Sequence, residues 1–416
     1  MGYIVDIEFF NTFILRSETT NTLYIEESRI KGGYNEDFVS IGPKAHLVDE
    51  TYAETRRNNA LIYSGIYNSR TDINRTNVFS AAEPITRAVD PSNGSIQRLH
   101  AEDTNLNILQ ENKVSYALID KDALFTAEGG QLTASGAAVI GQIVPYLGKY
   151  GTQNPESFAF KGIRKYFVDK NRGVVLRLSR DGITEISENG MKDYFRDNLA
   201  LVSNEFNDND KIVGFYDDHN SEYVVSLQSA NITDNDNYNT LGFDESVKGW
   251  TSFYTYKPDF GFSLNKKLYT FKTNNLWEHY KNASYNKFYN ESQPSSITIV
   301  ANESPSIVKN FNTINYEGTD DWSMESSITD LNMTARPVLI STTPVADGVI
   351  PVSFIKKEDK YYAHLRNNTT VTAKNEVIGV ETSGIKGFFT TVKMQNSNVN
   401  SNVELYNVSH NIVKSS

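Results

Sequence analysis

Residues Asn154 to Leu199 read NPESFAFKGIRKYFVDKNRGVVLRLSRDGITEISENGMKDYFRDNL. Two apolar runs, Tyr166 to Val168 and Val174 to Leu178, flank the polar Asp169-Lys170-Asn171-Arg172-Gly173, and Ile183 and Ile186 follow Asp181-Gly182. The order is strand, turn, strand, turn, strand. Asp-Gly tolerates the positive φ that tight hairpin turns demand, so Asp181-Gly182 predicts a hairpin by its chemistry. From Met191 the period changes to that of a helix. Met191, Tyr194, Phe195 and Leu199 share one face, and Lys192, Asp193, Arg196 and Asp197 share the other. The pattern predicts a helix over about 189–200, capped by Asn189 or Ser187. An antiparallel sheet with a packed helix accounts for the whole stretch without an active site, its charges standing where a solvated edge puts them.

The same rhythm extends to both sides. Ile96 to Asp120 predicts a three-stranded meander (Ile96 to His100, Leu106 to Leu109, Val114 to Ile119), because loops this short permit only antiparallel pairing. Gly129 to Gly151, rich in Gly and Ala, lacks the Gly-Lys-Ser/Thr ending of a phosphate loop and reads as a flexible excursion. Downstream, three hairpins are expected: Ile212 to Leu227 around Asp217-Asp218-His219-Asn220, Thr240 to Tyr256 around Asp244-Glu245-Ser246, and Leu268 to Tyr280 around Thr273-Asn274-Asn275. Hairpins at regular spacing suggest a β-propeller, whose four-stranded blades take roughly 40 residues each. The expected fold is all-β: an N-terminal β segment (1–75), a β-propeller-like body (76–335) and a small C-terminal β module (336–416). Short strands are expected in FFNTFILRS and LYIEES, and a loose alternation runs from Phe38 to Val48.

Composition agrees with this class and excludes others. The 416 residues can bury a sizeable core, with two or three domains, or one large β domain with appendages, as the prior; aromatic residues make up 12%, and such side chains suit pleated surfaces. Cysteine is absent, so there are no disulfides and no thiolate metal sites. The six histidines (His46, His100, His219, His279, His364, His410) show no His-x-x-x-His or His-Glu-x-x-His spacing, which leaves a zinc site without support. Asp234-Asn235-Asp236-Asn237 fails as a calcium loop, since Tyr238 takes a ligand position and no Gly follows. The net charge of −11 argues against tight phosphate binding by the protein as a whole. Arg56-Arg57 is a candidate phosphate contact, although adjacent arginines among acidic residues more often form surface ion pairs or subunit contacts. The N-terminus has neither a signal-peptide pattern nor a myristoylation pattern, and no run approaches a membrane span. The Asn-x-Ser/Thr triplets at Asn231, Asn282, Asn302 and Asn368 arise by chance in an Asn-rich chain.

NPESFAF…RKYFVDKNRGVVLRLSRDGITEIS…GMKDYFRDNL, together with AVDPSNGSIQRLHAEDTNLNILQENKVSYALIDKDALFTAEGG and GWTSFYTYKPDF, resembles the muzzle or nozzle ("stabilization") proteins of crAss-like and related marine short-tailed phages. The resemblance spans about residues 28 to 410. It implies a virion structural protein with a β-propeller-like body. Such a protein assembles in the host cytoplasm into a homo-oligomeric ring, sixfold in this pattern, below the portal and adaptor proteins, with tail fibres as possible neighbours. The ring would form the distal channel that holds and then releases DNA. The resemblance implies no catalytic, cofactor-binding or metal residue, and its relatives can be considerably longer. Two other functions compete. A propeller depolymerase of host glycans needs two carboxylates across a cleft, for which Asp169 with Asp181 or Glu185 is a candidate set. A host-binding module would expose aromatics on loops, with Trp250, Trp277 and Trp322 as candidates.

Overall fold

The computed structural model describes residues 14–16, 23–25, 57–65, 67–68, 70–71, 73–79, 85–102, 105–125, 131–203, 210–232, 239–281, 284–332, 334–338, 354–367 and 384–415. The Phe38 to Val48 alternation, His46, Arg56, the Asp234 to Asn237 run, Asn282 and Asn368 lie outside them. The chain divides into two compact units, residues 1–235 with 241–252, and residues 236–240 with 253–416. No helix among the described residues is long and apolar enough to cross a membrane. The fold is all-β with one α-helix among the described residues.

Three antiparallel meanders follow one another along the chain. The first runs through Ile96–Glu102, Asn105–Gln110, Val114–Phe125 and Gln131–Pro145; the second through Ala159–Lys161, Arg164–Asp169, Val174–Ser179 and Gly182–Glu185; the third through Lys211–Asp217, Glu222–Gln228, Thr240–Asp244 and Gly249–Tyr254. In each, strands adjacent in sequence are adjacent in space. The turn chemistry explains why. Asp169 accepts hydrogen bonds from the Arg172 N–H and guanidinium, Gly173 closes the turn at φ +68°, and Gly182 takes φ +101° in the tight turn expected at Asp-Gly.

The second sheet is buried on both faces. Tyr166, Val168 and Val175 enter one apolar cluster with Phe195, Leu199, Tyr223 and Trp250, whereas Phe167, Val174, Leu176 and Leu178 enter another with Leu109, Val114 and Phe158. Period-two alternation thus divides one sheet between two cores, which is why its strands read as unbroken apolar runs. Tyr166 stacks on Tyr223 with ring centroids 4.8 Å apart.

The helix spans Lys192–Leu201 and buries Phe195 and Leu199 as its periodicity requires. Its cap differs from expectation. Met191 occupies the cap position without a side-chain bond, while the Ser187 hydroxyl accepts the Val175 N–H at 3.2 Å. Ser187 is spent on fastening the chain to the sheet, and Asn189 stays exposed. The expected flexible excursion at 129–151 is corrected as well, because Gln131–Pro145 forms the outer strand of the first sheet. Its register slips between Ser135 and Ile140 and again between Ile140 and Ile143, so Gly136 and Gly141 fall where the ladder is already irregular.

The second unit holds a three-stranded meander (Phe260–Leu264, Lys267–Lys272, Asn275–Glu278) and a larger sheet. The large sheet runs in the order Ser295–Ala301, Thr390–Asn396, Ser323–Thr329, Thr334–Val338, Lys360–Asn367, Lys309–Gly318, Ile385–Gly387; Ile355–Lys357 and Leu405–Lys414 pair alongside. Ile385–Gly387 ends this path, yet only Phe388 and Phe389 separate it from Thr390–Asn396 near the other end. Two residues cannot span an open sheet, so the sheet curls into a nearly closed barrel. Asp330 holds the joint by accepting the N–H groups of Phe388 (2.7 Å) and Phe389 (3.3 Å). Phe311, Ile314, Tyr316, Leu365, Ile385, Val392 and Met394 fill it. The position 336 taken as a module boundary falls inside Thr334–Val338, a strand paired on both sides.

Candidate functional site

The carboxylates considered for catalysis each have a structural partner. Asp169 is fully buried and accepts from Gly151 N–H at 3.0 Å as well as from Arg172, so it organises a turn. Asp181 lies at the opposite end of Val174–Ser179, roughly 20 Å away at about 3.3 Å per residue, and pairs with Arg177 at 3.0 Å. Glu185 accepts the Tyr150 hydroxyl at 2.6 Å, and this bond pushes the phenol up to about 12. All three are occupied with structure.

The tryptophans are similarly placed. Trp250 is buried, packs 4.6 Å from Phe195 and donates its indole N–H to Ile186 C=O at 3.0 Å. Trp322 is buried and donates to Glu404 C=O at 3.2 Å. Trp277 is half-buried against Tyr289 at 5.4 Å. None stands free on a loop. The histidines His100, His279 and His410 are half-buried, His219 and His364 exposed, and no group of three potential metal ligands occurs among the described residues. Arg57 is exposed.

The arrangement with chemical potential is a cleft of about 930 Å³ in the first unit. Thr86–Ala88, a strand paired on one side to Ala60–Ile62, forms one wall with the turn that follows it. In that turn the Ser92 hydroxyl, and after it the Ser92 N–H at 2.9 Å, hold the Asp90 carboxyl below the usual range, and Gly94 closes the turn at φ +81°. Gln110 is buried and ties this wall to the first sheet by donating to Asp90 C=O (3.0 Å) and Gly94 C=O (2.9 Å). The opposite wall carries Gln142, Ile143 and Pro145, from the outer strand of that sheet.

Among the described residues four cations line the cleft, Arg87, Lys113, Lys149 and Arg172, against one carboxylate, Asp90. In a chain of net charge −11 this is a local inversion of sign. Lys113 Nζ donates to Gly148 C=O at 2.6 Å, and Arg172 shares the buried Asp169. Arg87 and Lys149 are exposed, and their side chains make no ion pair or hydrogen bond among the described residues. Sequence reading missed these four because they are dispersed between positions 87 and 172; the adjacent pair Arg56-Arg57 drew attention instead. No local pattern marks them. Their convergence follows from sheet pairing alone.

Comparison with known proteins places both units. The family model of the crassvirus muzzle protein matches residues 79–274, and that of the crassvirus muzzle protein C-terminal domain matches residues 283–368. The first match takes in the meanders and the second opens the barrel sheet. The "Muzzle protein" of Bacteroides phage crAss001 is 23% identical over 254 residues, covering 59% of this chain and 17% of that protein. The chain thus spans well under two thirds of that relative's length.

Proposed function

The chain belongs to the crassvirus muzzle protein family, a family of phage structural proteins, and from that premise we propose that it forms a ring at the phage tail which continues the DNA channel below the portal and adaptor proteins. In this reading the ring is sixfold, retains the genome and lets it leave on infection. Its neighbours are adaptor and portal-side proteins, with tail fibres attached around it, and it assembles in the host cytoplasm. The observation that carries the proposal is that the two family models match in succession, one on the stacked meanders and one on the barrel sheet.

The structure supports a scaffold more than a catalyst. The second sheet is covered on both faces, Asp169 holds a turn, Asp181 pairs with Arg177 and Glu185 accepts the Tyr150 hydroxyl. Successive four-stranded meanders packed face to face suit a propeller-like body, which we propose as its architecture. The acidic surplus suits a channel through which duplex slides without adhering, since like charge repels phosphate. A lumen lined by Lys and Arg in an assembled ring would overturn that part.

Light scattering on the purified protein, alone and with neighbouring tail proteins, tests the assembly. A sixfold or twelvefold mass, or a monomer that becomes one on adding its neighbour, is expected. A monomer that stays alone and releases sugars from host glycans would replace the ring with the depolymerase reading.

A further inference from the structure

We propose that the basic cleft of the first unit receives an extended, carboxylate-rich peptide segment of another protein. Residues 86 to 90 line the cleft without a gap. Side chains on a strand alternate between two faces, so an unbroken run along one wall means that Thr86–Ala88 turns its backbone edge to the cavity. Its other edge is taken by Ala60–Ile62. Across the cleft, Pro145 and Ser115 are cross-strand neighbours and Gln110 stands on the next strand, so the first sheet presents a face there. One strand edge and one sheet face therefore border the cavity, and an edge is a template for an added strand.

Charge selects the kind of strand. Among the described residues Arg87 and Lys149 are exposed and unpaired, and Lys113 donates to a carbonyl. An incoming segment with carboxylates on alternate residues would neutralise these cations while its backbone pairs with the wall. The amides of Asn93, Asn112 and Gln142 offer further donors and acceptors to a peptide backbone.

Other anionic ligands fit less well. B-DNA's major groove alone is about 12 Å wide, whereas a volume of 930 Å³ equals a cube about 10 Å on a side, so a duplex is too broad to enter. Single-stranded nucleic acid is held by aromatic stacking, and no aromatic side chain among the described residues lines this cavity. A drug-sized ligand favours apolar walls with few polar groups, and this lining is mostly polar. The proposal concerns one chain's own cleft and holds whether or not the ring forms.

Fluorescence anisotropy on the full chain tests it, with a fluorescein-labelled decapeptide of alternating Glu and Val, the same peptide with Gln for Glu, and a single-stranded decanucleotide. The Glu peptide is expected to bind and to weaken on raising the salt from about 50 to about 200 mM. Replacing Glu by Gln, or combining Arg87→Glu with Lys149→Glu, is expected to weaken it about tenfold or more. Both positions are exposed, and an unchanged melting curve confirms that the double variant folds. Hydrogen exchange is expected to slow at residues 86–90 when the peptide binds. Failure of the Glu peptide to bind, indifference to the double variant, or no added protection at those amides overturns the proposal. So does an oligonucleotide that binds more tightly and is lost in the same variant, which would make the cleft a phosphate site.

Discussion

The second sheet of the first unit and the barrel sheet of the second use similar side chains, aromatic and β-branched, but they find their partners differently. Between Ala159 and Glu185 every strand pairs with its neighbour in sequence. In the barrel, Ser295–Ala301 pairs with Thr390–Asn396, and Lys309 lies opposite Lys414. One sheet can form from turns that are already biased, whereas the other must first close long loops, and loop closure costs chain entropy before any pairing repays it. Similar residue types therefore yield a local structure in one place and a non-local one in the other.

The largest effect expected from this contrast is kinetic. Two single-tryptophan variants, one keeping Trp250 and one keeping Trp322, report the two units separately. After dilution from denaturant the Trp250 signal should return at least about tenfold faster, and equal rates would break the comparison.

The second effect is one of pH. Burial pushes His279 and His410, both in the second unit, down to about 4. An unfolded histidine takes its proton near about 6.5, so the neutral buried rings favour the folded state fully above that pH. Their contribution is lost as the pH falls from about 6.5 toward about 4. Urea denaturation followed by Trp322 should show a loss on the order of 3 kcal/mol between pH 7 and pH 4.5. His410→Phe, set against Phe311 where the imidazole now lies 5.8 Å away, should remove a good part of that loss.

A third test sharpens the barrel side. Asp330→Ala deprives the Phe388 and Phe389 N–H groups of their acceptor and should cost about 1.5–3 kcal/mol, read from the same denaturation curve. The smallest effect belongs to the local sheet. Gly182→Ala meets open space but must hold φ near +101°, for a cost of about 1 kcal/mol in the Trp250-reported transition.

The same contrast governs what could be read in advance. Asp181-Gly182 and the Met191, Tyr194, Phe195, Leu199 face state their structure in adjacent residues, and both form as expected. Ala159–Lys161 escaped notice because Phe160 and Lys161 are exposed on an edge strand, without a buried run to mark it. Gln131–Pro145 was hidden by glycines whose permissiveness serves register slips, which sequence spacing does not announce. The barrel was harder still: Lys309–Gly318 is flanked by strands from beyond residue 354, and nothing inside FNTINY names them. The cleft shares that difficulty, since Arg87, Lys149 and Arg172 meet only after the first sheet has formed.

One feature of the barrel bears on how it would carry a load. Leu405–Lys414 lies antiparallel to Lys309–Gly318, and Ser415 N–H closes the ladder on Val308 C=O at 3.0 Å. Residues 308 and 415 therefore leave the pair at the same end. Tension applied between them would open the ladder rung by rung, like a zipper, at low force. Tension applied between 415 and the far end of Lys309–Gly318 would strain all the rungs together in shear and meet much greater resistance. The direction from which a neighbouring protein pulls, and not only how tightly it binds, would then set whether this strand yields or holds.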